Sequence, residues 1–186
     1  RLLCHEGEFQ PLLGEPALHK LDAVLADRAA PTNPHLRASS QLLGSSAIAW
    51  YAPSLWAEAA AHHFPHSLAE VPVLLPTHHA AVRARMDHWL EQERIRPRIA
   101  GEFEDSALLS TFATSGMGVM PAPISLGNHL QQTFGLVQIG ATPEVSEEFH
   151  LIYSARKVMH PLVTRLLETG PQERLLNPQA ALQAPP

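Results

Sequence analysis

The chain has 186 residues, of which 45% are hydrophobic, and its 13 basic and 18 acidic side chains give a formal net charge of −5. This composition allows a sizeable core, and a single cysteine, Cys4, excludes a disulfide framework within the chain and fits a cytoplasmic location. The acidic balance argues against nucleic-acid binding by this segment, and no apolar run approaches the roughly 18 residues of a membrane span.

The N-terminal third of the sequence predicts short elements separated by turns. Apolar residues between positions 9 and 18 follow a helical period that prolines and a glycine interrupt, so this helix is expected to be short or broken. The predicted strands cover residues 2–5, 23–26, 36–43 and 47–51. The strand at 23–26 shows no polar alternation, which is typical of a parallel sheet.

From residue 54 onward, strands alternate with longer helices, which is typical of an α/β fold. Ser54 is predicted to cap a helix over residues 54–63, and Thr77 to cap a long helix whose apolar face carries Val82, Met86, Trp89 and Leu90. The further predicted strands are 73–75, 95–103, 136–139 and 149–154, and the further helices are 126–134 and 161–167.

The most informative stretch is GEFEDSALLSTFATSGMGVMPAP, residues 101–123. Its pattern predicts a strand, a helix capped by Asp105, a glycine stop and a second short strand closed by prolines. In open α/β units the polar residues that follow each strand face the ligand crevice. This strand-to-helix turn is therefore the first candidate for a binding site.

This stretch resembles the second half of the effector-binding domain of LysR-type transcriptional regulators. The resemblance extends to HKLDAVLAD at residues 19–27, EFHLIYS at 148–154 and HPLV at 160–163, and it covers most of residues 1–169. The segments HKLDAVLAD and GEFEDSALL are similar to the subgroup of sodium-responsive activators of sodium/proton antiporter genes.

The resemblance implies an α/β fold of two Rossmann-like lobes, similar to type 2 periplasmic binding proteins, with the first strand and helix missing. Lobe I is expected at residues 1–52 with a return segment at 152–170, and lobe II at 53–151. Residues 171–186 read as a disordered tail. The resemblance also implies a homodimer or tetramer, with DNA bound through a helix-turn-helix domain that this chain lacks.

Two strand-to-helix turns in lobe II carry the candidate effector contacts, which are Thr77, His78, Glu104 and Asp105. Ser45 and Ser46 are the candidates from lobe I. The carboxylates favour a cation or an amine over an anion, consistent with sodium or another small cation as effector. An effector between the lobes is expected to favour a closed form. Asp105 has an alternative interpretation as a helix cap and nothing more.

The chain has 12 histidines, with clusters at residues 62–66 and 78–79. Neither cluster has the three or four converging ligands of a zinc site, so we expect solvated histidines, no metal and no cofactor. A periplasmic solute-binding protein of the same two-lobe fold is the alternative function. A small enzyme is a third possibility, but no nucleophile–base pair or phosphate loop supports it, and no catalytic residue is assigned.

Overall fold

The computed structural model describes residues 3–14, 20–32, 38–154 and 160–168. The helices are α1 (Phe9–Leu13), α2 (Ser54–Ala61), α3 (Ala81–Gln92), α4 (Ser106–Thr114), α5 (Gly127–Phe134) and α6 (Pro161–Glu168). The strands are β1 (Val24–Ala26), β2 (Ala38–Ala52), β3 (Pro72–Pro76), β4 (Arg98–Phe103), β5 (Met120–Pro123) and β6 (Val137–Ser154). Short 3-10 helices cover His66–Ala69 and Ile124–Leu126. The mixed α/β fold is the one predicted, and the tail at 171–186 lies outside the described residues.

The chain divides into two compact units. Unit 1 comprises Arg1–Ser45 and Glu148–Pro186, and unit 2 comprises Ser46–Glu147. The long strands β2 and β6 contribute residues to both units, and the order in the four-stranded sheet is β1-β6-β2-β5. The sequence predicted each of these strands as two separate ones, 36–43 with 47–51 and 136–139 with 149–154, and this was wrong. β2 and β6 are neighbours in the sheet, and each continues through a stretch that resembles a loop, Gly-Ser-Ser in β2 and Thr-Pro-Glu in β6.

In unit 1, β1 pairs antiparallel with β6, with Val24 opposite Ile152. The prediction of a parallel, fully buried strand was wrong in both respects, because β1 pairs antiparallel and Leu25, between Val24 and Ala26, is 67% exposed. Successive residues of β6 point to opposite faces of the sheet. Ile152 therefore packs with Leu13 and Val24, and Leu151 packs with Leu43 and Val163 on α6. Residues 3–8 are irregular rather than a strand.

In unit 2, β3 lies between β4 and β5. It pairs parallel with β4 from Pro72 to Pro76, with a register shift between Val73 and Leu74, and Val73 forms a parallel bridge with Val119, the residue before β5. β5 pairs antiparallel with the end of β2, from Ile48 opposite Pro123 to Tyr51 opposite Met120. The central strand β3 thus has neighbours on both edges.

Helices cover both faces of β3. Val73 and Leu75 pack against Val82, Met86 and Leu90 of α3 in the larger hydrophobic core. Leu74, which points the other way, packs against Leu109 and Ala113 of α4. The connection through α3 leads from β3 to β4, and the connection through α4 leads back across β3 to β5. Unit 2 is therefore a doubly wound unit in which the strand order reverses between β3 and β5.

The helix caps that the sequence predicted were confirmed in part. Asp105 caps α4 as predicted, whereas Ser54 does not cap α2, because Pro53 occupies the cap position and Ser54 is the first helical residue. Proline fits just outside a helix because its fixed φ and missing N–H cost nothing there.

Gly118 allows β5 to approach β3 closely. A Cβ atom at this position would lie 2.6 Å from the carbonyl oxygen of Pro72, so only glycine fits beside that backbone atom. We expect Gly118→Ala to destabilise the protein by about 3 kcal/mol, since the clashing atom belongs to the backbone and cannot rotate away. Urea denaturation followed by circular dichroism measures this loss.

Gly135→Ala is the matched control. Gly135 has a φ of +65°, and a Cβ atom added there would meet no other atom within 4 Å, so the substitution adds left-handed strain of about 1–2 kcal/mol without a clash. Equal losses in the two variants would contradict the proposed contact between Gly118 and Pro72.

Candidate functional site

The turns that follow β3 and β4 lie side by side. Pro76, the last residue of β3, is opposite Phe103, the last residue of β4, and the Thr77 N–H donates to the Phe103 carbonyl at 2.9 Å. Because the strands are parallel, both turns emerge at the same carboxyl edge. The structure therefore brings Thr77 close to Glu104 and Asp105, as the sequence predicted.

Thr77 does not cap α3, contrary to the prediction. The helix begins at Ala81 with Ala80 at the cap position, and the Ala80 N–H donates to the Thr77 carbonyl at 3.1 Å. Residues 77–80 thus form a separate turn before the helix. The Thr77 side-chain hydroxyl is buried and makes no hydrogen bond with any residue that the structure describes.

Among the predicted effector contacts, His78 and Glu104 face solvent. The His78 side chain is 72% exposed, and its Nδ1 lies 3.7 Å from the Asp87 carboxylate. Glu104 is also exposed. Both residues are accessible to a ligand, and neither is held in place by burial.

Asp105 performs the structural role that its alternative interpretation assigned to it. Its Oδ1 accepts a hydrogen bond of 2.6 Å from the Leu108 N–H, which satisfies a donor at the start of α4. The side chain is only partly buried. Since a carboxylate has two oxygens, capping uses only part of its capacity to accept hydrogen bonds.

Ser46 lies at the same carboxyl edge, beside the end of β5. Its hydroxyl accepts a hydrogen bond of 3.2 Å from the Ser125 N–H and donates to the Ala47 carbonyl at 3.3 Å. Because β2 runs antiparallel to β5, Ser46 falls where β5 ends and the segment leading into α5 begins. Ser45 is exposed and is the last residue of the first segment of unit 1.

The carboxyl edge of unit 2 therefore carries Ser46 at β5, Thr77 at β3 and Asp105 after β4. The strand order reverses between β3 and β5, and ligands of doubly wound folds bind in the crevice at such a reversal. Among the residues described, no group of three or more histidine, cysteine, aspartate and glutamate side chains could hold a metal ion.

Sequence reasoning missed Arg83, a residue of α3 that is 3% exposed. Its guanidinium donates to the Pro76 carbonyl at 2.6 Å, to Asp87 at 2.9 Å and to Glu102 of β4. The hydrogen bond from Arg83 lowers the pKa of Glu102, with a further contribution from His78. The signal was present, because Arg83 precedes Met86 and Leu90 by three and seven residues and so shares their inward face.

Thr77→Val tests whether the Thr77 hydroxyl is unpartnered. Valine has nearly the same shape, so the substitution removes a buried polar group without opening a cavity, and we expect unchanged or higher stability, by up to about 1 kcal/mol. Thr142→Val is the matched control, since the buried Thr142 Oγ1 accepts a 3.0 Å hydrogen bond from Trp50 Nε1.

The control substitution leaves the indole N–H of Trp50 without an acceptor and should cost about 1–3 kcal/mol. Chemical denaturation of both variants gives the two values. A comparable loss in Thr77→Val would show that its hydroxyl has a partner in solution.

No helix in the described part of the chain combines the length and apolar character needed to cross a bilayer. The chain is 26% identical over 168 residues to the transcriptional activator protein NhaR of Escherichia coli, a match that covers 90% of this chain and 55% of NhaR. The chain thus spans about half the length of this relative.

Solved structures share the fold at low identity. The AmpR effector-binding domain from Citrobacter freundii superimposes with a TM-score of 0.61 at 19% identity, covering 91% of this chain and 79% of that one. The effector-binding domain of QuiR in complex with shikimate gives 0.60 at 12% identity, covering 94% and 79%. The family model of the LysR substrate-binding domain matches residues 5–172, and the chain therefore belongs to the LysR substrate-binding domain family.

Proposed function

We propose that this chain is the effector-binding domain of a LysR-type transcriptional activator and that the carboxyl edge of unit 2 contributes to its effector site. The observation that carries this proposal is that Thr77 and Asp105 follow the adjacent parallel strands β3 and β4, while Ser46 of β2 lies beside the end of β5. Family membership supports the regulatory role, since the relative NhaR is a transcriptional activator and the QuiR domain holds shikimate. In this proposal the domain is cytoplasmic and not catalytic.

The alternative, a periplasmic solute-binding protein, has less support. The two functions share a two-lobe fold, so the fold does not separate them. The relatives favour the regulator, because the similar proteins are regulators and the similar solved structures are effector-binding domains of regulators.

The chemistry of the edge favours a small cation or an amine as effector. Asp105 and Glu104 bring carboxylates that reach solvent, and the edge also carries the buried hydroxyls of Thr77 and Ser46, so its oxygen atoms suit hard cations. An anion would have to approach two carboxylates. Within this class we propose sodium, in line with the similarity of the two sequence segments to sodium-responsive activators.

An effector acts on a regulator by binding one conformation of the domain more tightly than another, which shifts the population towards that form. Coupling of about 1–3 kcal/mol is typical and is enough to change how a regulator contacts its promoter. DNA contact is proposed to come from a helix-turn-helix domain outside these 186 residues, because this chain carries a net charge of −5.

A dimer or tetramer is also proposed, and β4 is the surface that supports it. One edge of β4 pairs with β3, and none of the strands in the described ranges pairs with its other edge. Ile99 of β4 is exposed. An unpaired strand edge with an exposed apolar side chain is a favourable surface for association.

Asp105→Asn separates effector binding from helix capping. Asparagine caps as well as aspartate, so we expect the unfolding temperature without sodium to stay nearly unchanged, whereas Asp105→Ala should cost about 1 kcal/mol. The wild-type protein should melt at a higher temperature in sodium chloride than in potassium chloride of equal ionic strength, since a ligand of the folded state stabilises it. Asp105→Asn should lose this sodium-specific increase.

A full sodium-specific increase in Asp105→Asn would show that Asp105 is a helix cap only. An unfolding temperature that is the same in both salts for the wild-type protein would refute sodium as the effector.

Ile99→Asp tests the assembly proposal. We expect the unsubstituted chain to sediment as a dimer or tetramer and Ile99→Asp to sediment as a smaller species, because the substitution places a charge on the proposed interface. Leu126→Asp adds the same charge at an exposed leucine outside β4, and its sedimenting mass should equal that of the unsubstituted chain. A monomer at every concentration of the unsubstituted chain contradicts the proposal.

A further inference from the structure

Arg83 is a buried charge in an apolar setting. It is 3% exposed and lies beside Val82 and Met86, which belong to the larger hydrophobic core of unit 2. Burying a guanidinium is costly, and ion pairs inside proteins are often no better for stability than apolar residues of similar volume. Its Asp87 and Glu102 partners remain about 40% exposed, so the network gains little from low dielectric.

The contacts of Arg83 join the ends of the two parallel strands. One nitrogen, Nη1, donates both to the carbonyl oxygen of Pro76 and to the carboxylate of Glu102. Pro76 is the last residue of β3 and Glu102 the penultimate residue of β4. Asp87, one helical turn further along α3, accepts from Nε and fixes the plane of the guanidinium.

These strand ends lead directly into the candidate effector contacts. Pro76 is followed by Thr77, and Glu102 is followed after one residue by Glu104 and Asp105. The hydrogen bond from the Thr77 N–H to the Phe103 carbonyl also links the two strand ends. The pairing of β3 with β4 fixes the strand backbones, and the guanidinium adds a side-chain restraint that joins the Pro76 carbonyl to Glu102 and Asp87.

We propose that Arg83 is a positioning residue that holds the Thr77–Ala80 turn in register with the Glu104–Asp105 turn so that both contact one effector. This inference rests on the proposed function, which assigns these turns to the effector site. In this proposal Arg83 acts through the Pro76 carbonyl and Glu102 rather than by contact with the effector. Its role is to fix the distance between two groups of oxygen atoms.

Hydrogen exchange measured by NMR tests the positioning without any ligand. In Arg83→Met we expect the Thr77 and Ala80 amides to exchange about tenfold faster, since the restraint from charged hydrogen bonds is lost. The Leu136 amide, which donates to the Leu130 carbonyl elsewhere in unit 2, should be unchanged. Arg98→Met, at an exposed position of β4, should alter none of these rates.

If Arg83→Met does not fold, the variants Arg83→Lys and Glu102→Gln test the same proposal. Lysine keeps the charge but has no second nitrogen that could hold Asp87 while the first reaches Pro76 and Glu102, so the fixed plane of the guanidinium is lost. We expect faster Thr77 and Ala80 exchange in both variants. A purely structural role would instead raise the exchange of Leu136 by the same factor.

A second experiment tests effector binding by comparing the unfolding temperature of Arg83→Met in sodium chloride with that in potassium chloride of equal ionic strength. The sodium-specific increase of the wild-type protein should shrink or disappear. Unchanged Thr77 and Ala80 exchange overturns the proposal, as does a full sodium-specific increase despite faster exchange. If the wild-type protein shows no response to sodium, sodium is refuted as the effector, and the exchange rates still decide whether Arg83 positions the turns.

Discussion

β3 is the element on which the rest of unit 2 depends. Its three central residues, Val73, Leu74 and Leu75, have no exposed surface, and they alternate between the two faces of the sheet. A strand that is apolar on both faces needs a helix on each side, which α3 and α4 provide. Its parallel register with β4 then places two turns at one edge. The position of the candidate site thus follows from the burial of this short strand.

The sequence predicted much of the fold where local signals and tertiary structure agree. Asp105 followed by Leu108 and Leu109 is a local signal for a helix start, and α4 begins there. Strand length and direction were not predictable in the same way. β2 continues through Gly44, Ser45 and Ser46, although a glycine-serine stretch is locally typical of a turn. Likewise, three apolar residues at 24–26 cannot reveal an antiparallel partner more than 120 positions further along the chain.

The position of the candidate site could be predicted from the sequence, but the side-chain contacts that hold its turns could not. Thr77 and Asp105 were identified because they follow strands, and strand ends meet at one edge in a doubly wound unit. Arg83 was not identified, because its role depends on the Pro76 carbonyl and on Glu102, which lies 19 residues away. Helical period places Arg83 on the buried face, but only the register of β3 and β4 shows which groups it reaches.

The two edges of unit 2 differ in the kind of contact they contain. At the amino end of β3, Gly118 lies against the Pro72 carbonyl in a close contact that leaves no room for a side chain. At the carboxyl end, buried or partly buried polar groups collect, including the charge of Arg83 and the hydroxyl of Thr77, which has no partner among the described residues. A buried polar group without a hydrogen-bond partner lowers the stability of the fold. Such local conflicts concentrate at functional sites.

Capping and effector binding are compatible interpretations of the same side chains. Ser46 and Asp105 each accept a backbone N–H at the start of a helical segment, which fixes their oxygen atoms in space. A carboxylate has about four lone-pair positions and a hydroxyl two, so one accepted hydrogen bond leaves further acceptor capacity on each. A side chain held by a cap loses little additional conformational entropy when a ligand binds to its remaining oxygen. Capping by Ser46 and Asp105 is therefore compatible with the effector contacts proposed for their oxygen atoms.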